Sequence, residues 1–195
     1  TLEQVIDVIK SAEHEGKMTV RLHTGDPSLY GAIREQMDRL DELGIKYDIC
    51  PGVSSFCGAA AALRAEYTLP DVSQTVIITR MAGRTPVPEK ESIAALAAHN
   101  ATMVIFLSTG LLKELSAELI RGGYKPDTPA AIVYKASWAD QKVCRCTVDD
   151  LAQTAADNGI TKTALICVGY FLGNDYSLSK LYDKSFETEF RKAEI

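Results

Sequence analysis

The sequence lacks any apolar run near the roughly 20 residues that a bilayer-crossing helix needs. Its longest apolar runs, such as 75–79 and 103–107, fall far short, so no membrane span is expected. A basic cluster is missing as well: 26 acidic against 21 basic side chains give a formal charge of -5, which argues against nucleic acid as the main partner. The five cysteines, Cys50, Cys57, Cys144, Cys146 and Cys167, include no CxxC pair, and no secretion signal precedes them. That pattern points to a reducing cytoplasm. Cys144 and Cys146 alternate with Val143 and Arg145 and so share one face of a strand, but their spacing has neither the zinc nor the thioredoxin form. His14, His23 and His99 show no HxxxH or Cys/His spacing, and no metal site in the protein is expected. GxGxxG, GxxxxGK(S/T) and GxSxG are absent too. Rossmann-type dehydrogenases, P-loop NTPases and elbow-type serine hydrolases thereby lose their main support.

What is present is a globular composition, 46% hydrophobic and 24% charged, on a chain of 195 residues, which is long enough for one or two domains. Thr1-Leu2-Glu3-Gln4 reads as an N-cap opening a helix whose apolar stripe is Leu2, Val5, Ile6 and Ile9. A chain that opens directly on such a helix suggests that an upstream segment has been removed. Residues 17–23 (K-M-T-V-R-L-H) alternate as a strand, T-G-D-P (24–27) is a turn, and a helix is expected over 28–43. A second strand is expected over 45–49, after which P-G-V-S-S (51–55) breaks the chain and opens an Ala-rich helix over 56–64. Strand, loop and helix in repetition argue for parallel strands with crossover helices, whose ligands sit at the carboxyl ends of the strands. The pattern changes over 67–74. A domain boundary near 69–71 is expected, giving a first domain of 1–70 and a second of 71–195. The second should hold strands at 74–80, 102–108, 130–135, 142–147 and 163–168, with helices at 88–99, 110–121 and 148–158, in a mixed sheet. The tail, 170–195, is polar and aromatic by turns, and little order is expected of it.

Three loops could carry chemistry. Thr24-Gly25-Asp26-Pro27 offers close backbone approach, a carboxylate and a fixed turn; Asp26 either accepts from a ligand amino or hydroxyl group or caps the following helix. Pro51-Gly52-Val53-Ser54-Ser55 also lies between a strand and a helix, so its free N–H groups and two hydroxyls point to the same ligand or serve as caps. Residues 79–89 (T-R-M-A-G-R-T-P-V-P-E) place Arg80 and Arg84 on a Gly/Pro-stiffened loop. Guanidinium forks there suit a carboxylate-rich substrate, and a solvated loop with surface ion pairs is the alternative.

Five blocks together carry a family likeness: T-G-D-P-S-L-Y-G (24–31), P-G-V-S-S (51–55), T-R-M-A-G-R-T-P-V-P-E (79–89), F-L-S-T (106–109) and V-Y-K-A-S-W-A-D-Q-K (133–142). They resemble the tetrapyrrole methylases from Thr1 to about Gly169, and the G-R-T-P-V-P and Y-K-A-S-W blocks are most similar to members that methylate carbon 11 of precorrin-4 or cobalt-precorrin-4 in cobalamin biosynthesis. The resemblance implies two α/β domains, usually in a homodimer, with S-adenosylmethionine folded into the cleft between the domains. The family's cofactor contacts would fall on Thr24, Gly25, Asp26 and Leu29, on Ser54 and Ser55, on Leu107, on Ala136, and on Thr163 and Ala164. Substrate acetates and propionates would be held by Arg80 and Arg84, with Lys135 as a further candidate. The family's opening strand and G-x-G-P-G-D loop have no counterpart here, which implies a first domain shortened by roughly 50 to 60 residues, about two βα units, with an exposed edge or apolar face. The implied reaction is in-line displacement of S-adenosylhomocysteine by a tetrapyrrole carbon. It relies on alignment and exclusion of water rather than on a protein nucleophile, and no catalytic residue is identified. The alternatives are a methylase for another tetrapyrrole position, of the uroporphyrinogen or precorrin-2 type, and a non-catalytic cofactor-binding dimer.

Overall fold

Thr1 caps helix α1 (Leu2–His14) as its sequence demands: the Thr1 hydroxyl accepts from the Gln4 backbone N–H, and the Gln4 side chain accepts in return at the Thr1 amine. The computed structural model describes residues 1–193, which form two compact units divided between Cys57 and Gly58. In the first unit the expected stripe of α1 faces inward, with Ile6 buried and Leu2, Val5 and Ile9 half-buried. Helix α2 (Arg34–Glu42) buries Leu40 and is tied to α1 by the Arg39–Glu3 pair at 3.3 Å.

Two expected strands of this unit are not strands. Residues 17–23 and 45–49 make no ladder with any described residue, and the alternating Met18 and Leu22 are 92% and 79% exposed. Alternation reports only the sidedness of a segment; a strand also needs a neighbouring backbone, and neither segment has one among the described residues. The helix expected from residue 28 starts only at Arg34. Tyr30 and Ala32 take left-handed φ values of 56° and 49°, which a right-handed helix does not accommodate. Helix α3 (Ser55–Leu63) follows P-G-V-S-S as expected.

The second unit holds β1 (Val76–Arg80), α4 (Ile93–Ala97), β2 (Thr102–Phe106), α5 (Leu112–Gly122), β3 (Pro129–Tyr134), β4 (Lys142–Thr147), α6 (Leu151–Asp157) and β5 (Ala164–Val168). The sheet order is β1-β2-β5-β3-β4, with β1 and β2 parallel and the other pairings antiparallel, so the sheet is mixed as expected. Ile166 lies at its centre, opposite Ile105 on one side and Ile132 on the other. All three are fully buried beneath Leu115 and Leu119 of α5 and Leu151 of α6. Each such side chain contributes about 1.5–3 kcal/mol of transfer free energy. Gly122 lets α5 approach α4 closely, because a Cβ there would run into Ala94 and Ala97. The helix expected over 88–99 is split: Ser92 takes an extended ψ of 148° and its hydroxyl caps α4 at Ala95, leaving a separate 3-10 turn at Glu89–Glu91.

The opposite sheet face is covered by Tyr67 and Phe171, whose rings meet edge-on at 5.1 Å, with the Tyr67 hydroxyl 3.8 Å from Cys167 Sγ. These contacts explain why the boundary expected near 69–71 lies inside the second unit: Tyr67 belongs to its core. Cys144 and Cys146 pack their shared face against the same unit's core, and burial raises the Cys146 thiol to about 11. In the tail, Phe171 is buried and the Arg191 guanidinium donates to the carbonyls of Leu181, Asp183 and Phe186, so this segment has more structure than its composition suggests. The last two residues of the expected tail lie outside the described residues.

Candidate cofactor and substrate site

In the first unit the two Gly-containing loops meet. One Asp26 carboxylate oxygen accepts from the Ser28 backbone N–H and hydroxyl, and the other accepts from the Gly52 N–H at 2.8 Å. Asp26 is therefore a link between loops, not the cap of α2, whose N-cap is Ile33. The Ser28 hydroxyl, the Ser28 N–H and the Gly52 N–H, in that order, hold the Asp26 carboxyl below its ordinary range. An ionised carboxylate has about four acceptor positions, so Asp26 retains capacity for a further donor. The loops touch backbone to backbone. A Cβ on Gly52 would stand 2.0 Å from the Gly25 carbonyl oxygen, far inside van der Waals contact, and Gly25 itself takes φ 66° with Ser54 Cα 3.5 Å from where its Cβ would stand. Thr24 and Ser55 are exposed, Leu29 is half-buried and Ser54 is buried.

In the second unit the remaining candidates gather at one end of the sheet, where strands finish or begin. Arg80 pairs with Phe106 across β1 and β2, and Tyr134 with Ala164 across β3 and β5, so the ends of β1, β2 and β3 and the start of β5 coincide. The residues just beyond those ends are Met81, Leu107, Lys135 and Thr163. Three of them, Leu107, Lys135 and Thr163, take left-handed φ values of 53°, 45° and 58°. A left-handed backbone costs a non-glycine residue about 1–2 kcal/mol, and such strain concentrates at binding sites. The strain is held by cross-links: Lys135 N–H donates to the Thr163 carbonyl at 3.0 Å, and the Thr109 hydroxyl donates to the Ala164 carbonyl at 3.2 Å. Leu107 is 72% exposed, an apolar side chain presented outward by a strained turn. Ala136 is half-buried, and Ala164 is buried enough that only its backbone is available to a ligand.

The three cationic candidates differ sharply. Lys135 Nζ bonds Asp140 at 2.5 Å and stands over the rings of Tyr134 and Trp138 at 5.0 and 5.2 Å. The Asp140 bond is the main cause that raises the Lys135 ammonium and, reciprocally, lowers the Asp140 carboxyl. Arg80 donates to the carbonyls of Met81, Thr85 and Pro86 at 3.1, 3.2 and 2.8 Å. Arg84 is exposed and makes no hydrogen bond or ion pair with another described residue. Sequence reasoning alone assigns no role to Ser108 or Trp138. Fully buried Ser108 accepts from Met81 N–H at 2.9 Å and donates to the Phe106 carbonyl at 2.7 Å, tying the Arg-bearing loop to the strained turn at Leu107. The F-L-S-T block contains Ser108, but only the cross-strand register reveals its partner.

Residues 1–152 match the family model of the tetrapyrrole (corrin/porphyrin) methylases. A cobalt-precorrin-4 C(11)-methyltransferase of Methanocaldococcus jannaschii is 55% identical over 193 residues, spanning 98% of this chain and 74% of that protein. The X-ray structure of a cobalamin biosynthetic enzyme, cobalt precorrin-4 methyltransferase, superposes with a TM-score of 0.87 at 49% identity, over 89% of this chain and 73% of that one. The fold is shared with the uroporphyrin-III C-methyltransferase of Thermus thermophilus, solved with S-adenosylhomocysteine, at a TM-score of 0.69 and 19% identity over 87% of this chain and 74% of that one. With a matched family model across most of its length and a relative more than half identical, the chain belongs to the tetrapyrrole (corrin/porphyrin) methylases.

Proposed function

We propose that the protein transfers a methyl group from S-adenosylmethionine to carbon 11 of precorrin-4 or cobalt-precorrin-4 during construction of the corrin ring. The observation that carries this reading is the similarity, across nearly the whole chain, to a cobalt-precorrin-4 C(11)-methyltransferase. It is supported by the G-R-T-P-V-P and Y-K-A-S-W blocks, which follow the ends of β1 and β3 on the side of the sheet where the strained turns gather.

The residues fit the cofactor's chemistry. In the first unit, Thr24, Gly25, Asp26, Leu29, Ser54 and Ser55 offer closely apposed loop backbone, hydroxyls, and a carboxylate with spare acceptor capacity. In the second, Leu107 and Ala136 offer apolar surface, and Thr163 and Ala164 offer strand-end backbone. When bound, S-adenosylmethionine supplies an electrophilic methyl on a neutral leaving group. The chain's own residues then have to orient and desolvate rather than to attack or protonate. Arg84 supplies charge for the substrate's acetate and propionate groups, and Lys135, already paired with Asp140, contributes a screened cation beside Trp138. In this reading the protein acts as a homodimer in the cytoplasm, and any cobalt arrives within the substrate.

The test is turnover of cobalt-precorrin-4, and separately of metal-free precorrin-4, with S-adenosylmethionine carrying a carbon-13 methyl. The expected product bears the label on carbon 11. Label on another ring carbon would assign the chain to the uroporphyrinogen or precorrin-2 type. Binding of S-adenosylhomocysteine with no labelled product would make it a non-catalytic binding protein.

A further inference from the structure

Arg80 and Arg84 sit on one loop, four residues apart in sequence, yet the structure gives them opposite positions. The loop folds around the Arg80 guanidinium. Its Nη1 donates to the Met81 and Thr85 carbonyls and its Nη2 to the Pro86 carbonyl, so both terminal nitrogens point into the loop's own backbone. Gly83 N–H donates to the same Thr85 carbonyl at 3.2 Å, closing a three-residue turn with Arg84 at its apex. Ser108 fixes the loop's first residue, Met81, to the end of β2. Between these two anchors the backbone of residues 81–86 is held, and Arg84 extends from it exposed and uncommitted. A guanidinium that satisfies three carbonyls cannot also present its flat fork to a carboxylate without releasing them.

We propose that Arg80 is a positioning residue for substrate recognition: it does not touch the tetrapyrrole but shapes the 81–86 turn so that Arg84 presents its guanidinium to a substrate carboxylate. The assignment rests on the reading of Arg84 as the loop's carboxylate contact. It makes Arg80 and Arg84 two links of one device rather than two independent clamps. A lysine at position 80 offers a single point charge where the three carbonyls need a planar fork, so R80K is expected to restore only part of the function.

The test compares wild type, R80A, R80K, R84A and the R80A/R84A double variant in full-length turnover of cobalt-precorrin-4 with S-adenosylmethionine. Tryptic cleavage at the Arg84–Thr85 bond serves as a substrate-independent readout of loop order. R84A is expected to raise KM for the tetrapyrrole about 10-fold or more with little change in kcat. R80A is expected to raise it by a similar factor, R80K by less, and the double variant no further than R84A alone. Cleavage after Arg84 should be about 10-fold faster in R80A than in wild type, while affinity for S-adenosylhomocysteine stays unchanged and shows that the variants are folded. Multiplying losses in the double variant would place Arg80 directly on the substrate and overturn the proposal. Unchanged cleavage in R80A would overturn it independently. If R84A leaves KM unchanged, the carboxylate-contact role of Arg84 fails and with it the proposed presentation of that residue, whatever the cleavage pattern.

Discussion

The two units of the chain are ordered by different means. The second is organised by burial: five strands and three helices enclose Met103, Ile105, Ile132 and Ile166 with almost no solvent contact. The first buries few large apolar side chains, chiefly Ile6 and Leu40, and leaves Met18, Val20 and Leu22 in solvent. Its defining contacts are the Asp26 to Gly52 bond and the backbone approach of Gly25 to Gly52. The contrast teaches that a hydrophobic core can specify an architecture while a pair of hydrogen-bonded turns, with little core beneath them, specifies the mutual course of two loops.

The largest expected effect breaks the core side of that contrast. Ile166→Ala removes the central side chain of the sheet and should cost about 2–5 kcal/mol of unfolding free energy in urea titration; a cost below that of an exposed site would mean that burial does not organise the second unit. Next is Gly52→Ala, whose new methyl meets the Gly25 carbonyl oxygen. Relief requires the loops to separate, at a cost of about 1–3 kcal/mol, and faster amide exchange is expected over 24–31 and 51–55 with the second unit's exchange unchanged.

A smaller effect concerns pH. Because the folded Asp26 carboxyl is lowered by the Ser28 and Gly52 donors, its stabilisation is fully present above the ordinary aspartate pKa of about 3.9 and is lost as pH falls through the lower folded value. Protection of the Gly52 amide should therefore hold at neutral pH and fall only below about pH 4, whereas Asp26→Asn should show weak protection throughout. Protection that is already lost near pH 6 would sink this account of the link. The smallest change is a gain. Leu107→Gly relieves a left-handed backbone and should raise stability by about 0.5–1 kcal/mol once the entropy cost of glycine is subtracted, while weakening cofactor binding. A loss of stability there would show that the Leu107 side chain packs rather than waits for a ligand.

The same contrast decides what could be read from the sequence. In the second unit the strand over 163–168 is legible as a short unbroken apolar run, buried throughout Ala164–Val168, and that over 142–147 from the alternation of Cys144 and Cys146 with the more exposed Val143 and Arg145. In the first unit K-M-T-V-R-L-H alternates perfectly and still forms no strand, since side-chain pattern carries no information about a backbone partner. The meeting of T-G-D-P with P-G-V-S-S was legible from two turn motifs placed alike between elements. The strained turns at Leu107, Lys135 and Thr163 were not, because leucine, lysine and threonine give no local hint of a positive φ. Nor could sequence separate Arg80 from Arg84: the same side chain serves as scaffold or as free charge according to where three carbonyls lie.

Central to the proposed function is binding of S-adenosylmethionine by the candidate residues, Leu107 and the loop that holds Gly52 among them. Calorimetric titration of S-adenosylhomocysteine into wild type, Gly52→Ala and Leu107→Gly tests it most directly. Saturable binding of one ligand per chain, weakened about 10-fold or more by each substitution while both variants remain folded, is the predicted result. Binding indifferent to both substitutions, or no binding by a folded wild-type chain, would contradict it.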